Sequence, residues 1–256
     1  MISYWPDTTE KWGDCITDNE RMVHRYNYQR NRWPGFIFFG NLHKFFGHLI
    51  NDDDFKDTDI IDFGCGSGRH LEEVSHFKFK SMTGVDISSS GLTIAASTLS
   101  QGIFIKHDLC ESLDSHYNTG ICFSVLQHLR NPSAGLDTIG RAIRRGGVLY
   151  LCCYRKRGIL YETIIPWLRR LAKDWPNSRI SKLSFILSLF TWWLPQYWHD
   201  PFWVGQMDWF ERIAVPITGN FARSQLAYML KHAGFDNWQI NKTRSGWAVK
   251  AIKTGW

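Results

Sequence analysis

The sequence predicts an α/β protein built on a doubly wound, mostly parallel sheet, with a helical insertion after the fifth strand. Three observations lead there. From residue 58 to 154, short apolar runs alternate with helix-length segments, the pattern of successive β-α-β units. Between the first run and the first helix sits DFGCGSGRH (62–70), with a glycine at every second position. The alternation stops over 155–220, where the chain is helical and rich in aromatics, and resumes to the end.

Each element has its own signal. Residues 1–57 form an N-terminal arm, helical around 20–31 and 36–50. TDIIDF (58–63) is the first strand, and SGRHLEEVSHF carries Leu71, Val74 and Phe77 on one helical face. MTGVDI is the second strand; the helix after it has a stripe of Leu92, Ala95, Ala96 and Leu99. IFIKHDL and GICFSVL are strands three and four. NPSAGLDTIGRAIRRGG reads as a helix with Leu136, Ile139 and Ile143 on one side, closed by its glycine pair. GVLYLCCY, apolar throughout, is a fifth strand buried on both faces.

Residues 58–154 thus make the core, and 155–220 an aromatic-rich lid of two helices, 157–173 and 178–194, followed by an irregular stretch over 195–220. The C-terminal part, 221–256, completes the core. Leu226, Met229, Leu230 and Ala233 form a helical stripe ended by Gly234, and two strands follow, FDNWQIN and GWAVKAIK. The last alternates apolar and polar residues and reads as an edge-region hairpin partner.

Bulk properties narrow the function. A chain of 256 residues with 44% hydrophobic content supports one sizeable core. The net charge of +6 suits an anionic ligand or a nucleic-acid surface without requiring either. None of the six cysteines has the C-x₂-C spacing of a zinc site, so no metal is expected. With no leader-like N-terminus and free thiols, the chain reads as cytoplasmic. Its longest uncharged stretch, 183–198, is interrupted by Pro195 and falls short of the ~20 residues that span a bilayer.

The glycines set the chemistry. In an open α/β sheet, ligands bind beyond the carboxyl ends of the strands, where the first strand-to-helix turn lies. Glycines there let backbone N–H groups approach a ligand closely. A dinucleotide fingerprint needs glycine or alanine where this chain has Arg69. What stands instead is Asp62-x-Gly64-x-Gly66-x-Gly68. An acid inside the turn would repel a pyrophosphate but suits an ammonium group or sugar hydroxyls. Asp86 ends the second strand, where a carboxylate can accept both hydroxyls of a ribose. Asp108 ends the third, where it can take the exocyclic amine of adenine, with Ile87 and Leu109 against the base.

Three acids at three consecutive strand ends plus this turn resemble the class I S-adenosylmethionine-dependent methyltransferases of small-molecule type. FSVLQHLRNP (123–132), RRGGVLYL (144–151) and LKHAGF (230–235) are further likenesses, and the similarity covers about 58–154 and 205–253. It implies a Rossmann-like sheet of seven strands, the last antiparallel. It also implies S-adenosylmethionine as cofactor and S-adenosylhomocysteine as product. Gly64, Cys65, Gly66 and Gly68 would line the methionine and ribose portion, with Asp62 near the ammonium. Asp86 would hold the ribose, Asp108 with Leu109 the adenine, against whose face Ile87 also lies, and Ser124 and Val125 would lie beneath the sulfonium. Tyr26 or Arg30 of the arm would cap the cofactor's carboxylate. His128 and Tyr154 are the candidates for a catalytic role. Gln127, His70, His199 (beside Asp200), Trp209 and Arg212 (with Asp208) are the candidates for acceptor contacts.

The implied activity is methyl transfer to oxygen or nitrogen of a small-molecule metabolite, by a monomer or homodimer. Three other readings compete. An RNA methyltransferase draws on the basic run 155–157, yet the N/D-P-P-Y/F motif of adenine-amino methylases is missing after strand four. The others are a non-catalytic cofactor-binding subunit and a membrane-surface enzyme with a lipid-like acceptor.

Overall fold

A computed structural model of the chain describes residues 18–33, 42–113, 116–192, 201–243 and 246–255. Its strands are β1 (Asp59–Phe63), β2 (Ser81–Asp86), β3 (Ile103–Lys106), β4 (Tyr117–Phe123), β5 (Ile143–Tyr154), β6 (Phe235–Lys242) and β7 (Gly246–Lys253). They form one sheet of order β3-β2-β1-β4-β5-β7-β6. Strand β7 is antiparallel to both its neighbours, and every other pair is parallel. The order reverses at β1, so β1 and β4 open the crevice in which such sheets bind ligands.

The described parts of 40–156 and 218–256 form one compact unit, the sheet with its helices. These are α2 (Leu42–Phe46), α3 (Arg69–Val74), α4 (Ser89–Thr98), α5 (Pro132–Ala142) and, near the end of the chain, α9 (Arg223–His232). The alternating chain buries both faces of the sheet. Ile61, Phe63, Leu136, Ile139, Leu149, Leu151 and Leu226 pack on one side; Ile60, Leu71, Met82, Ile121 and Tyr150 pack on the other. Asn131 caps α5 through a bond from Ala134 N–H at 3.1 Å, with Pro132 at the first helical position. Residues 42–57 belong to this unit: the Tyr150 hydroxyl bonds Asp54 Oδ2 at 2.5 Å, and Lys250 reaches the same oxygen at 2.8 Å.

The described parts of 1–39 and 157–217 form the second unit, entirely helical. It comprises α1 (Asp18–Arg32), α6 (Ile159–Ala172), α7 (Asn177–Thr191) and α8 (Phe202–Ala214). Trp33, Ala172, Ile180, Met207, Phe210 and Ile213 make its core.

Several expectations are corrected. The helix over 131–147 stops at Ala142, and Ile143 already belongs to β5, paired with Tyr117. The register then shifts before Thr119 pairs with Val148, so Arg144–Gly147 bulge out with Gly146 at φ +81°. The glycine pair therefore shapes a bulge and does not cap a helix. Strand β7 is the antiparallel hairpin partner of the edge strand β6, as its alternation leads one to expect. Its Lys253 is buried and donates to Ala233 O at 2.8 Å. The stretch read as irregular contains α8, because its prolines all lie outside 202–214. The first predicted helix is shorter, Arg69–Val74, and Ala96 of α4 faces solvent.

Candidate active site

Strand β1 ends by carrying Asp62 into the sheet interior, where it is 1% exposed. Neither carboxyl oxygen accepts a hydrogen bond among the described residues. Burial, reinforced by the nearby Asp86 and opposed by Arg69, pushes this carboxyl up to about 8. A dry carboxyl of this kind calls for a proton or for a cation brought to it.

The turn that follows is tied to the neighbouring strand. Gly64 and Cys65 N–H both donate to Val85 O, at 2.7 and 3.0 Å, and Gly68 N–H to Cys65 O at 2.9 Å. Gly64 has φ +80°, and a Cβ there would lie 2.2 Å from a methyl of Val125. Glycine at 64 thus serves two needs, a left-handed backbone and close approach to the chain leaving β4. Gly91 of α4 has a similar part: its Cβ would meet Gly66 O at 2.9 Å.

Asp86 ends β2 as the organiser of this loop. Its Oδ2 accepts Gly66 N–H at 2.8 Å and its Oδ1 accepts Ser88 N–H at 2.7 Å. The residue is half-exposed. Ile87 beside it is also half-exposed. Asp108, just beyond β3, accepts Cys110 N–H at 2.9 Å and pairs with Arg130 at 3.1 Å. Burial works to raise this carboxyl, but the Cys110 N–H and the Arg130 guanidinium hold it below the ordinary carboxylate value. The Leu109 side chain is 4% exposed and packs in the core.

Beyond β4, Ser124 takes φ +59°, rare for a residue with a side chain and typical of strained functional turns. Its N–H donates to Cys152 O at 3.0 Å. Gln127 is fully buried, with its side-chain amide nitrogen 3.3 Å from His128 Nε2, and its backbone carbonyl accepts Gly219 N–H at 2.7 Å. It therefore faces the histidine and positions it. The His128 ring meets Tyr154, the last residue of β5, edge to face at 5.8 Å. Both follow the carboxyl ends of parallel strands, the same end of the sheet as the glycine turn.

His70 is 7% exposed and clamped on α3. Its Nδ1 lies 3.5 Å from Glu73, its Nε2 lies 3.0 Å from an Arg69 nitrogen, and its ring lies 4.4 Å from Phe123. Burial is the main cause that brings it down to about 4, and Arg69 adds to it, so it is a neutral structural imidazole. Glu73 in turn takes the Leu42 N–H at 2.8 Å, fixing the start of α2.

The remaining candidates lie in the helical unit. Arg212 forms a two-pronged pair with Asp208 and lies 5.2 Å from the Tyr161 ring, while Trp209 Nε1 donates to Thr191 Oγ1 at 2.8 Å. These contacts tie α8 to its helical neighbours. Tyr26 is half-buried on α1. The Arg30 side chain and His199 with Asp200 lie outside the described residues.

Sequence reasoning missed Arg130 as the partner of Asp108, Ser88 as the cap of α4, and Phe123 as the ring beneath His70. Only Ser88 left a signal, a serine three residues ahead of Gly91 at a helix start.

The residues fit the nucleoside the sequence points to. The partnerless Asp62 carboxyl suits an ammonium, Asp86 has two oriented oxygens suited to vicinal hydroxyls, and the glycine cradle tolerates no Cβ at 64.

A model of a family described as a methyltransferase domain matches residues 28–240. The ubiquinone biosynthesis O-methyltransferase of Pseudomonas savastanoi is 26% identical over 98 residues, 36% of this chain and 42% of that protein. That of Pseudomonas putida is 22% identical over 134 residues, 50% of this chain and 57% of that protein. The chain thus spans about half the length of the curated relatives it matches. A SAM-dependent methyltransferase of Thermotoga maritima shares the fold with a TM-score of 0.54 at 12% identity, over 93% of this chain and 100% of that one.

Proposed function

The chain belongs to the methyltransferase-domain family, that of the class I S-adenosylmethionine-dependent methyltransferases, and from this premise we propose that it methylates an oxygen or nitrogen of a small molecule. When bound, S-adenosylmethionine supplies a methyl group already activated on a sulfonium. The chain's own residues then have three tasks: to bind, to align and to manage a proton.

Binding falls to the turn and the strand-end acids. Asp62 holds the ammonium end, with Gly64, Cys65, Gly66 and Gly68 leaving room for the methionine and ribose. Asp86 accepts the ribose hydroxyls with Ile87 alongside, and Asp108, shared with Arg130, takes the adenine amine. Ser124 and Val125 floor the reacting centre.

Alignment and proton handling fall to the group after β4 and β5. His128, held by Gln127 and flanked by Tyr154, takes the proton of an acceptor hydroxyl at a ring nitrogen, while Tyr154 orients that hydroxyl. The observation carrying this reading is the juxtaposition of His128 and Tyr154 at the sheet end that bears the glycine turn. The similarity to ubiquinone biosynthesis O-methyltransferases supports oxygen as the atom methylated. An amine acceptor needs less help from a base.

The test is transfer of labelled methyl from S-adenosylmethionine to panels of small phenols and amines, with wild type and His128→Ala. Turnover of a hydroxyl acceptor should fall on the order of 100-fold in the variant, with cofactor affinity unchanged. Equal rates would remove His128 as the base. Methylation of RNA but of no small molecule would overturn the reading.

A further inference from the structure

Helix α7 buries Ile180 and part of Leu183 and Leu187 in the helical core, yet it also carries a second apolar stripe that faces outward. In water a helix normally buries its apolar stripe and shows its polar one. Here Ser181, Ser184 and Ser188 are buried at 5%, 0% and 1%, while Phe185, Ile186, Leu189 and Phe190 are exposed at 45%, 49%, 55% and 69%. The serines occupy the side against α8, where Gly205 and Gln206 are also buried. Ser184 and Ser188 satisfy their hydroxyls on the carbonyls of Ile180 and Ser184, at 2.8 and 2.7 Å, and Gln206 bonds Ser181 O at 3.2 Å. That face is thus a close helix contact with its polar groups satisfied, and the stripe of Phe185, Ile186, Leu189 and Phe190 is left on the outside.

The outward face is ordered along its length. Phe185, Ile186, Leu189 and Phe190 follow the i, i+1, i+4, i+5 spacing of a single stripe, and Trp192 just past the helix is 51% exposed. One to two turns earlier, Arg179 and Lys182 occupy the same stripe by the i, i+3, i+7 rule, and both are exposed. Helix α6 repeats the theme: Ile164, Trp167 and Leu171 are spaced i, i+3, i+7 and exposed at 49%, 57% and 51%. Between 157 and 192 there are six basic and two acidic residues, and both acids are engaged. Glu162 accepts Arg157 N–H at 2.9 Å, and Asp174 pairs with Arg21 at 3.0 Å.

We propose that the outward face of α7 is a docking surface for an anionic lipid bilayer, lying in the headgroup plane with Phe185, Ile186, Leu189 and Phe190 inserted and Arg179 and Lys182 on lipid phosphates. An apolar stripe with cations at its edge is the composition of an interfacial helix. At 15 residues α7 is roughly 22 Å long, so it lies on a bilayer and does not cross it. Charge also disfavours a second copy as occupant. A two-fold contact through this face would set one basic segment against another, with no uncommitted acid between 157 and 192 to offset it. The bilayer reading does not depend on which acceptor is methylated.

Flotation of the full chain with phospholipid vesicles tests it. The protein should float with vesicles of phosphatidylcholine containing phosphatidylglycerol, and far more weakly with phosphatidylcholine alone. The exposed pair Phe185→Ser with Leu189→Ser should weaken binding on the order of 100-fold. Arg179→Gln with Lys182→Gln should weaken it about 30-fold on the anionic vesicles and leave the weak binding to phosphatidylcholine unchanged. Retained S-adenosylmethionine binding in both variants shows that they fold. Failure of the wild type to float would overturn the proposal, as would variants that float like it. A concentration-dependent dimer abolished by the serine pair would assign the face to self-association instead.

Discussion

Asp62→Asn gives the most direct view of the site, because it removes one proton equilibrium while keeping the side chain's shape. In the folded chain burial raises this carboxyl to about 8; unfolded, it returns to the ordinary 3.8. Between those values the folded state keeps a proton that the unfolded state has lost. Stability therefore declines as pH rises through the window, fully present below about 4 and lost above about 8. At ~1.4 kcal/mol per pH unit, this amounts to on the order of 5 kcal/mol, a large share of the roughly 5–15 kcal/mol that holds a domain folded. Urea denaturation of the cofactor-free protein at pH 5, 7 and 9 measures it. The wild type should be comparable to the variant at pH 5 and lose several kcal/mol relative to it by pH 9. The same proton links to binding. An ammonium against Asp62 favours its ionised form, so wild-type affinity for S-adenosylmethionine should rise with pH up to about 8 more steeply than that of the variant. Parallel stability curves for the two proteins would refute the dry carboxyl, and parallel affinity curves would refute the ammonium contact.

Other perturbations probe neighbouring parts. Gly64→Ala combines a left-handed backbone with a methyl 2.2 Å from Val125, and should cost roughly 3 kcal/mol in chemical denaturation. Adding Val125→Ala should recover the steric part and leave the backbone part; no recovery would mean that the clash is relieved otherwise. Asp86→Ala removes the acceptor of Gly66 and Ser88 N–H and should weaken cofactor binding by about 1.5–3 kcal/mol by calorimetry. His70 is brought down to about 4 from 6.5, so its contribution is present at neutral pH and lost as pH falls through that window. His70→Gln should remove roughly 3 kcal/mol of acid sensitivity between pH 7 and 4, read from denaturation midpoints.

The sheet strands were legible because buried parallel strands need unbroken apolar runs, and the glycine turn because only glycine meets both of its geometric demands. Ile143 was misassigned because its spacing from Leu136 and Ile139 fits a helix, and nothing local reveals that Tyr117 pairs with it. The alternation of β7 reveals its hairpin with β6, but not that Lys250 meets Asp54 or that Lys253 is buried on Ala233 O, because a satisfied lysine is indistinguishable, in sequence, from one in water. Long-range partners such as Arg130 for Asp108 are set by where two loops meet, which spacing does not encode. The burial of Asp62 is of the same kind: its position at the end of β1 is readable, its lack of partners is not.

That lack of partners matters most when the three strand-end acids are considered together. They have similar side chains and different surroundings. Asp62 is dry and raised, Asp86 is half-wet and oriented by two backbone N–H groups, and Asp108 is held ionised by a guanidinium and an N–H. A site for an inorganic anion would gather donors here, and a site for a lone cation would make the carboxylates equivalent. Instead, the set passes from a carboxyl that takes a full positive charge, through one that takes neutral hydroxyls, to one whose charge is already shared. A ligand matched to all three must be cationic at one end, carry vicinal hydroxyls in the middle and end in a weakly polar amine. The amino-acid tail, ribose and adenine of S-adenosylmethionine have that order, so on the proposed reading the electrostatic gradation across β1, β2 and β3 would set the direction of the cofactor in the crevice. Silencing the dry carboxyl, as Asp62→Asn does, should therefore cost affinity for the amino-acid-bearing cofactor while sparing adenosine, which lacks the cation. Equal losses for the two compounds would mean that the carboxylates do not read the ligand end by end.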